Sequence, residues 1–534
     1  MNFVTPPVIA ERERYKQPTG VSIYYGNREV LAVWRRSPGK MAAVVGIPKS
    51  QMHLVEGLRN NGSDFVVTPF KDLDLAGQQR RFEDLLKLDM DKVHLIEGLI
   101  RGGTEKIKID KSRILLIRPE EIERMDRMNK VREEDLYTRG KNILLEGKLA
   151  RLTLAAGAAS RFRPDPNDTR PKALFEITDS GKYKEETYLS VQARDILRVQ
   201  VKYGTTVPWG IFVHPAMKKN FQDYLGKCAY FGLDPEQIAL IEHTGEIPYF
   251  TPDGRIAVKS DALYKRTVIE NGKEKITEER GTGDDILFGT EGHGYFAHAF
   301  RHNPIHVAGR QMNMTMFDFF VQKGIETAFI SNIDNLGALI GSKEYPVILG
   351  RHKETAKDLG IGMTIELVSP LVVRDRNTGA QKLWHEGGVA LRVDGIPQIL
   401  DTNVLEAEAK SIVMSPQNPF PFNTANATFE IQAIGERVSL PPTLQSRLGL
   451  YLCEKNFWNI SGLIRTAFLV VPTQIPDAFA DPDAITEPVT VAPDIREIVN
   501  RFIPTKNWSD RYWSAGLYEL VKKEYDEPEQ QELF

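Results

Sequence analysis

Hydrophobic and polar positions along the chain alternate between short apolar runs and longer amphipathic stretches. The short apolar runs predict strands. Between residues 149 and 435 these runs are Leu152–Ala155, Trp209–Val213, Ala328–Ile330 and Ala390–Val393. Amphipathic stretches between them, such as Lys218–Leu225 and Met314–Lys323, predict helices. Alternation of this kind indicates an α/β fold with a mostly parallel sheet flanked by helices and right-handed connections.

The first 148 residues show a similar mixture, with no chemistry that we can name from the residues. Residues 1–20 are polar and contain prolines, which predicts a loose arm. A helix is predicted to begin at Pro119, because a proline followed by acidic residues is typical of a first helical turn. Strands are predicted at Val21–Tyr25, Val30–Trp34, Lys92–Leu95 and Ile114–Ile117. We interpret this part as an extra N-terminal α/β region.

Other segments depart from the regular rhythm. Two charged, turn-rich stretches, residues 163–187 and 270–285, predict surface loops or flaps. After about residue 435 the pattern changes, and the chain ends in an aromatic, helical stretch, Trp508–Tyr525, and an acidic tail. At 534 residues we expect about two to four domains. The predicted division is an N-terminal region (1–148), a central domain (149–435) and a partly helical C-terminal region (436–534).

Composition and charge exclude several classes of protein. Hydrophobic residues make up 41% and charged residues 26%, as in an ordinary globular chain with a large core. The net charge of −3 argues against a protein that coats nucleic acid or an anionic membrane. Two cysteines, Cys228 and Cys453, exclude a disulfide scaffold and a four-cysteine zinc site. Without a long apolar run or the apolar stretch of a secretory signal, we expect a soluble, cytoplasmic protein.

A run of small residues at the end of the predicted strand Leu152–Ala155 carries the first chemical signal. Small side chains let the backbone approach a ligand closely, and successive N–H groups in such a turn form an anion-binding concavity. Two later cations, Arg161 and Lys172, supply positive charge suited to phosphate. The pattern is neither a Walker loop nor G-x-G-x-x-G. The run comprises Ala155, Ala156, Gly157, Ala158, Ala159 and Ser160, and it predicts a site for a nucleoside triphosphate.

Polar residues also follow the apolar run Ala328–Ile330, so Asn332 and Asp334 are predicted to emerge at the carboxyl tip of a strand. Mg²⁺ is usually bound by one or two carboxylates together with substrate phosphates. Asp334 is therefore the candidate Mg²⁺ ligand, with Asn332 or Asn335 orienting the nucleotide or the sugar phosphate. The alternative is a turn in which these side chains cap their own backbone.

Two more segments contain residue types suited to ligand binding. In Gly292-His293-Gly294 the glycines expose the backbone, so that a planar base can lie against it, and His293 can donate to a phosphate oxygen. A histidine in a glycine turn is also often structurally silent. The other segment is Phe422-Asn423-Thr424-Ala425-Asn426.

In this order and spacing, the four segments resemble those of the UDP-sugar pyrophosphorylases, most closely the UTP–glucose-1-phosphate uridylyltransferases. That family has a glycine-rich loop ending in a lysine, then Gly-His-Gly, then Asn-(Val/Ile)-Asp-Asn-Leu-Gly, then Asn-Thr-Asn-Asn. The resemblance covers roughly residues 149–435, and Asn332–Ala338 is its most specific element. It implies a mostly parallel, Rossmann-like sugar-nucleotidyltransferase sheet.

The resemblance also implies an activity and a set of roles. UTP and a sugar 1-phosphate would form a UDP-sugar and pyrophosphate, with Mg²⁺ as the cofactor. Lys172 and Arg161 would act on the triphosphate, and Asp334 would hold the metal. The nucleotide would meet the small-residue loop, Gly292 and Asn332. The residues implied for the sugar phosphate are His293, Gly388, Asn423 and Asn426.

This chain departs from the family at several positions. No cation precedes Asn423 in Asn418-Pro-Phe-Pro-Phe-Asn423, and Glu386 stands where the family has a lysine; Arg392 and Lys382 are the nearest other cations. The glutamine that the family places against uracil falls near His243-Thr244, and neither is a glutamine.

These departures leave the sugar open. Glucose 1-phosphate is the first expectation. An alternative is a UDP-N-acetylhexosamine pyrophosphorylase or another NDP-sugar pyrophosphorylase, although relatives that use N-acetylhexosamine 1-phosphate carry a Gly-Asn-Gly-like segment where this chain has Gly292-His293-Gly294. A third hypothesis is a non-catalytic, nucleotide-binding regulatory protein on the same fold.

Overall fold

The structure is a computed structural model that describes most of the chain between residues 80 and 471. The described residues are 80, 83–85, 87–102, 108–118, 121–157, 170–174, 187–270, 273–283, 285–333, 335, 338–369, 372–374, 381–383, 388–415, 420–435 and 438–471. The backbone alone is described at 21–25, 28–32, 47–48, 265–270, 273–276, 372–374 and 381–383.

Strands and helices follow one another in chain order. The strands are β1 (Val21–Tyr25), β2 (Arg28–Ala32), β3 (Ile47–Pro48), β4 (Ile114–Leu115), β5 (Ile122–Arg124), β6 (Leu149–Leu154), β7 (Trp209–Val213), β8 (Ile238–Glu242), β9 (Glu246–Pro248), β10 (Leu263–Glu270), β11 (Lys273–Arg280), β12 (Phe288–Thr290), β13 (Ile305–Val307), β14 (Arg310–Met312), β15 (Thr327–Asn332), β16 (Met363–Val368), β17 (Val372–Arg374), β18 (Gln381–Leu383), β19 (Gly388–Val393), β20 (Ile396–Asp401), β21 (Phe422–Glu430), β22 (Pro442–Arg447), β23 (Leu450–Lys455) and β24 (Thr466–Val470). The helices are α1 (Met90–Arg101), α2 (Lys130–Leu145), α3 (Tyr188–Tyr203), α4 (Lys218–Lys227), α5 (Phe296–His302), α6 (Met316–Gln322), α7 (Tyr345–Leu359) and α8 (Ala407–Val413).

A 13-stranded mixed sheet dominates the described part of the chain. Four strands at its centre, in the order β8-β7-β6-β15, are parallel to one another. The antiparallel strand β21 separates them from β16, β24 and β5, which again pair in parallel. The predicted α/β fold, with a mostly parallel sheet flanked by helices, is confirmed.

Both faces of this sheet are covered, which explains the apolar strands. Trp209 and Ile211 of β7 lie in one hydrophobic cluster with residues of α3 and α7, whereas Phe212 of the same strand packs with Phe296 and Phe300 of α5 on the other side. A strand that is buried on both faces loses the polar alternation of a half-exposed strand. None of the described helices combines the length and the apolar character that a membrane span requires.

The chain divides into two compact units. The larger consists of residues 108–245, 292–443 and 455–534, and the smaller of residues 1–107, 246–291 and 444–454. The described core of the smaller unit includes Val93 and Ile96 of α1, Phe250 and Leu452. The predicted domain boundaries at residues 148 and 435 stay predictions, because the two compact units do not show which segment has which role.

The predicted strand Lys92–Leu95 is wrong, because these residues lie inside helix α1. Asp89 caps the helix by accepting hydrogen bonds from the backbone N–H groups of Asp91 and Lys92. The buried positions Met90, Val93, Ile96, Glu97 and Ile100 follow the 3.6-residue period of a helix. A four-residue window was too short to distinguish this period from that of a strand.

The helix predicted to begin at Pro119 is also wrong. Pro119 itself lies outside the described residues, but Ile122–Arg124 form strand β5, which pairs in parallel with β24. Helix α2 begins only at Lys130, after the cap Asn129. The open edge of β24 supplies hydrogen-bond partners that local propensity does not take into account.

Residues 270–285, predicted as a surface loop or flap, contain all of strand β11 and the last residue of β10 instead. β10 and β11 form an antiparallel hairpin in which Glu270 is opposite Lys273. The dipeptide between them, Asn271-Gly272, is the strongest short sequence signal for a hairpin turn. Predictions for residues 1–20 and Trp508–Tyr525, and for 163–187 apart from 170–174 and Thr187, lie outside the described residues.

Candidate nucleotide and sugar-phosphate site

Strands β6 and β15 end side by side at the carboxyl edge of the sheet. Leu154, the last residue of β6, is paired with Asn332, the last residue of β15. The next residue of each segment stays attached: Ile333 N–H donates to the carbonyl of Leu154 at 3.1 Å, and Ala155 N–H donates to that of Phe212 at 2.8 Å. Ala155–Gly157, the described start of the small-residue loop, and Asn332 therefore lie together at the edge where ligands of parallel sheets bind.

The described part of the small-residue loop changes from buried to exposed within three residues. Ala155 is fully buried, Ala156 is half-buried and Gly157 is exposed. A side-chain carbon built at Gly157 would meet no described atom within 4 Å. Backbone with open space beside it is what close approach of a phosphate requires. Ala158, Ala159, Ser160 and Arg161 lie outside the described residues.

Lys172 begins a short 3₁₀ turn, Lys172–Leu174. The turn is anchored because Ala173 and Leu174 are buried in the hydrophobic cluster that includes residues of α3. Leu174 N–H also donates to the carbonyl of Pro171 at 3.0 Å. Lys172 itself is half-buried, at the boundary between this anchor and solvent.

Asn335 and Asn426 join the loop after β15 to the neighbouring strand. Asn426 of β21 is paired in register with Ser331 of β15. The side-chain amide of Asn335 donates to Oδ1 of Asn426 and to the carbonyl of Thr424, each at 2.8 Å. Asp334, the candidate metal ligand, lies outside the described residues, between Ile333 and Asn335.

The structure also brings Asn423 and Gly388 together. A side-chain carbon built at Gly388 would lie 3.8 Å from Cβ of Asn423 and only 2.9 Å from Ile399, so a larger residue would crowd this position. Oδ1 of Asn423 accepts the N–H of Ala425 at 2.9 Å, where Ala425 has a φ of +61°. The oxygen of Asn423 thus caps its own turn, as the alternative interpretation of such residues expects.

Glu366 is a residue of this region that the sequence analysis did not single out. It lies on β16 with only 6% of its surface exposed, and its Oε2 is 3.4 Å from the amide nitrogen of Asn426. Its Oε1 has no hydrogen-bond partner among the described residues. Burial raises the pKa of this carboxyl to about 7. The available signal was an acid inside the apolar run Met363–Val368.

His243, at the position where the resemblance implies a glutamine, supports the Gly292 turn. Its Nε2 lies 2.9 Å from the carbonyl oxygen of Gly292, so this nitrogen carries the proton and donates. The imidazole is stacked between Phe212 and Tyr295, with ring centroids 5.0 and 4.9 Å away. Gly292 has a φ of +78°, which glycine adopts readily.

His293 is the first residue of the 3₁₀ turn His293–Tyr295 and is half-buried. The next residue, Gly294, faces the backbone of Lys455: an added side-chain carbon would lie 2.7 Å from its carbonyl carbon and oxygen. The second glycine of this segment is therefore required by packing within the protein.

Arg392 and Lys382 are the two cations that could replace the missing lysine. Arg392 is 12% exposed at its side chain, and its guanidinium contacts Glu121 and the carbonyl of Gly395. That charge is already engaged within the protein. The side chain of Lys382 lies outside the described residues.

Mg²⁺ fits the chemistry of the donors at this edge. Among the described residues, no group of three or more histidine, cysteine or acidic side chains could hold a metal ion. A closed protein cage is not required for Mg²⁺, which keeps several waters and is bound by one or two carboxylates plus phosphates. The side-chain oxygen of Asn332, the last residue of β15, is a donor type that suits such an ion, and Asp334 lies outside the described residues.

Comparison with solved structures identifies the class of fold. The chain resembles the UDP-N-acetylglucosamine pyrophosphorylase of Trypanosoma brucei with a TM-score of 0.52 and 14% identity, over 90% of this chain and 98% of that one. At this identity the similarity shows the fold alone, and it is the fold of a UDP-sugar pyrophosphorylase.

Sequence comparison gives the relatives. UDP-N-acetylglucosamine diphosphorylase 1 of Arabidopsis thaliana is 25% identical over 230 residues, which are 41% of this chain and 43% of that relative. UDP-N-acetylglucosamine pyrophosphorylase of Saccharomyces cerevisiae is 25% identical over 138 residues, 25% of this chain and 27% of the relative. The matches thus span less than half the length of these relatives. No protein-family model matches the chain. The resemblance to the UDP-sugar pyrophosphorylases is confirmed.

Proposed function

We propose that the protein is a uridylyltransferase that forms a UDP-sugar and pyrophosphate from UTP and a sugar 1-phosphate, reversibly. The observation that carries this proposal is the convergence of the small-residue loop, Asn332 and Asn426 at one carboxyl edge of the sheet. The similarity in sequence to enzymes that are named for this reaction supports it.

The reaction is nucleotidyl transfer. A phosphate oxygen of the sugar 1-phosphate attacks the α-phosphorus of UTP in line, one P–O bond forms, and the bond to the departing pyrophosphate breaks. The attacking group is already an anion, so no general base is needed. The protein has to hold two polyanions in line and offset their repulsion, by positioning and by electrostatic stabilisation.

In this proposal Lys172 and Arg161 offset the charge on the α-phosphate and on pyrophosphate. The N–H groups of the small-residue loop bind the triphosphate, and Gly292 and Asn332 meet the nucleotide. Asp334 would hold Mg²⁺, which when bound neutralises phosphate charge. The sugar phosphate would be bound by His293, Gly388, Asn423 and Asn426. The oxygen of Asn423 is engaged by Ala425 N–H, so its amide N–H groups are the ones to donate.

For the sugar, we propose N-acetylglucosamine 1-phosphate as the first substrate to test. The names of the sequence relatives favour it over glucose 1-phosphate, which the sequence motifs alone suggested. Glucose remains the second candidate because the chain has Gly292-His293-Gly294, with a histidine where relatives that use N-acetylhexosamine carry an asparagine.

A pyrophosphorolysis screen tests the proposal. Full-length protein is incubated with Mg²⁺, pyrophosphate and either UDP-N-acetylglucosamine or UDP-glucose, and released UTP is measured. Lys172→Ala should lower the rate on the order of 10²–10³-fold, whereas Lys219→Ala, at a lysine side chain that is 81% exposed, should not. Near wild-type activity of Lys172→Ala would overturn its assignment. Binding of UTP with no release from any UDP-sugar would favour the non-catalytic regulatory hypothesis.

A further inference from the structure

A buried ion pair lies between strand β6 and helix α3, behind the candidate site. Arg151 is fully buried within β6, and its Nη1 is 3.0 Å from Oδ2 of Asp195 on α3. Burial raises the pKa of the Asp195 carboxyl, and the charge of Arg151 opposes this shift. A second guanidinium nitrogen of Arg151 donates to the carbonyl of Ala338 at 2.8 Å. The pair is thus attached to the segment that follows β15.

Asp195 also binds the far end of that segment directly. It accepts the backbone N–H of Ile340 at 2.8 Å and that of Gly341 at 2.9 Å. A side-chain carbon built at Gly341 would lie 2.8 Å from Oδ1 of Asp195, so the glycine allows this approach. The carboxylate of Asp195 therefore accepts three charge-assisted hydrogen bonds, from two backbone N–H groups and one guanidinium.

Gln192, almost one helical turn before Asp195, binds the near end of the same segment. Its side-chain amide lies 3.4 Å from the carbonyl of Asn332 and 3.3 Å from that of Ile333, and it donates to both. Its Oε1 accepts hydrogen bonds from the hydroxyl of Thr153 at 2.6 Å and from the Nε–H of Arg151 at 3.3 Å. Because the oxygen is engaged there, the NH₂ end of the amide faces the loop.

Two side chains of one helix therefore hold both ends of residues 332–341, the segment that contains Asp334. A buried polar network that is fully hydrogen-bonded specifies one conformation, whereas a buried ion pair is weak evidence for stability. We propose that Gln192 and Asp195 are positioning residues that fix the two ends of segment 332–341, the stretch from which Asn332 and Asp334 are proposed to act. The link to catalysis rests on the proposed function; the hold on the segment does not.

Hydrogen exchange of the ligand-free, full-length protein tests the hold on the segment. Asp195→Asn should speed exchange of the Ile340 and Gly341 amides, whose N–H groups Asp195 accepts, by about 10-fold or more. Gln192→Leu should speed exchange of the Ile333 and Asn335 amides at the near end by a similar factor, because the carbonyls of Asn332 and Ile333 lose the donor that holds this part of the segment. The control is Phe221→Leu. Phe221 is fully buried in the hydrophobic cluster that contains apolar residues of α3, so this substitution should lower the melting temperature without speeding exchange in segment 332–341. Unchanged exchange in both variants would overturn the proposal. Gln192→Leu removes no charge, so it keeps the test decisive if Asp195→Asn folds poorly.

Kinetics test the link to catalysis. Both variants should raise the half-saturating Mg²⁺ concentration or lower kcat by about 10- to 100-fold, as loss of a group that orients a metal ligand does, with KM for the UDP-sugar changed far less. An equal effect of Phe221→Leu would show a general stability effect and overturn this link. A wild-type protein that releases no UTP from any UDP-sugar would refute the proposed function, and the exchange experiment would still decide whether the segment is held.

Discussion

The side-chain amide nitrogen of Asn335 lies 2.8 Å from Oδ1 of Asn426, and this hydrogen bond links the loop after β15 to β21. The bond determines how the Asn426 amide is oriented, because its oxygen is taken and its nitrogen must face Glu366. Asn426, which is implied to bind the sugar phosphate, is therefore held from one side by Asn335 and from the other by Glu366. Asn335 was expected to orient a substrate, and Glu366 was not expected at the site.

Removing the donor should release Asn426. We expect Asn335→Ala to raise KM for the sugar 1-phosphate about 10-fold and to lower the free energy of unfolding by about 1–2 kcal/mol, since two hydrogen bonds are lost. Asn403→Ala, at an exposed asparagine, is the control. Initial-rate kinetics and urea unfolding measure both quantities. If neither quantity changed, Asn335 would not orient Asn426.

The buried carboxyl of Glu366 should make stability depend on pH. Burial raises its pKa from the ordinary 4.5 to about 7, so the folded state binds this proton more tightly than the unfolded state does. The free energy of unfolding should therefore fall as pH rises from about 4.5 to about 7, and should lose no more from this group above that range. Glu366→Gln should remove this dependence and add about 1–3 kcal/mol of stability at pH 8.

Urea unfolding at pH 5.5 and pH 8 provides the measurement for Glu366. The matched control is Glu133→Gln, at an exposed acid of α2, which should leave the difference between the two pH values as in the wild type. An unaltered pH dependence in Glu366→Gln would mean that another group is responsible.

Gly294 should not tolerate a side chain. An added carbon would lie 2.7 Å from the backbone of Lys455, so one of the two segments would have to move. We expect Gly294→Ala to cost about 1–3 kcal/mol of unfolding free energy. Gly226→Ala is the matched control, since in helix α4 the added carbon meets nothing within 4 Å and should stabilise by about 0.5–1 kcal/mol. Equal effects of the two substitutions would contradict this account of Gly294.

His243→Phe separates the stacking of this ring from its hydrogen bond. Phenylalanine keeps a ring between Phe212 and Tyr295 but has no N–H for the carbonyl of Gly292. Because Gly292 is proposed to meet the nucleotide, we expect KM for UTP to rise severalfold while KM for the sugar 1-phosphate stays within about 2-fold, for a loss of roughly 1 kcal/mol. A parallel rise in both constants would show that the substitution disturbs the site as a whole.

Local sequence determined the elements whose signal is contained within a few residues. Strand Trp209–Val213 has the bounds that its apolar run predicted, and the predicted helix Lys218–Leu225 lies within α4. The sequence also determined that Ala155–Gly157 follow one strand and that Asn332 stands at the end of another, because an apolar run with polar or small residues behind it marks that boundary. Because β6 and β15 pair in parallel, their carboxyl ends lie side by side, and this brings Ala155–Gly157 close to Asn332.

Only the tertiary structure decided the rest. Ile122–Arg124 became a strand because β24 offers it an edge, and Lys92 lies in a helix because the buried face of α1 extends well beyond a four-residue window. The contacts that shape the candidate site, such as Asn335 with Asn426 and Arg151 with Asp195, join residues far apart in the chain. Residue type says only that a buried polar group needs a partner; which partner it meets depends on how the strands and helices pack.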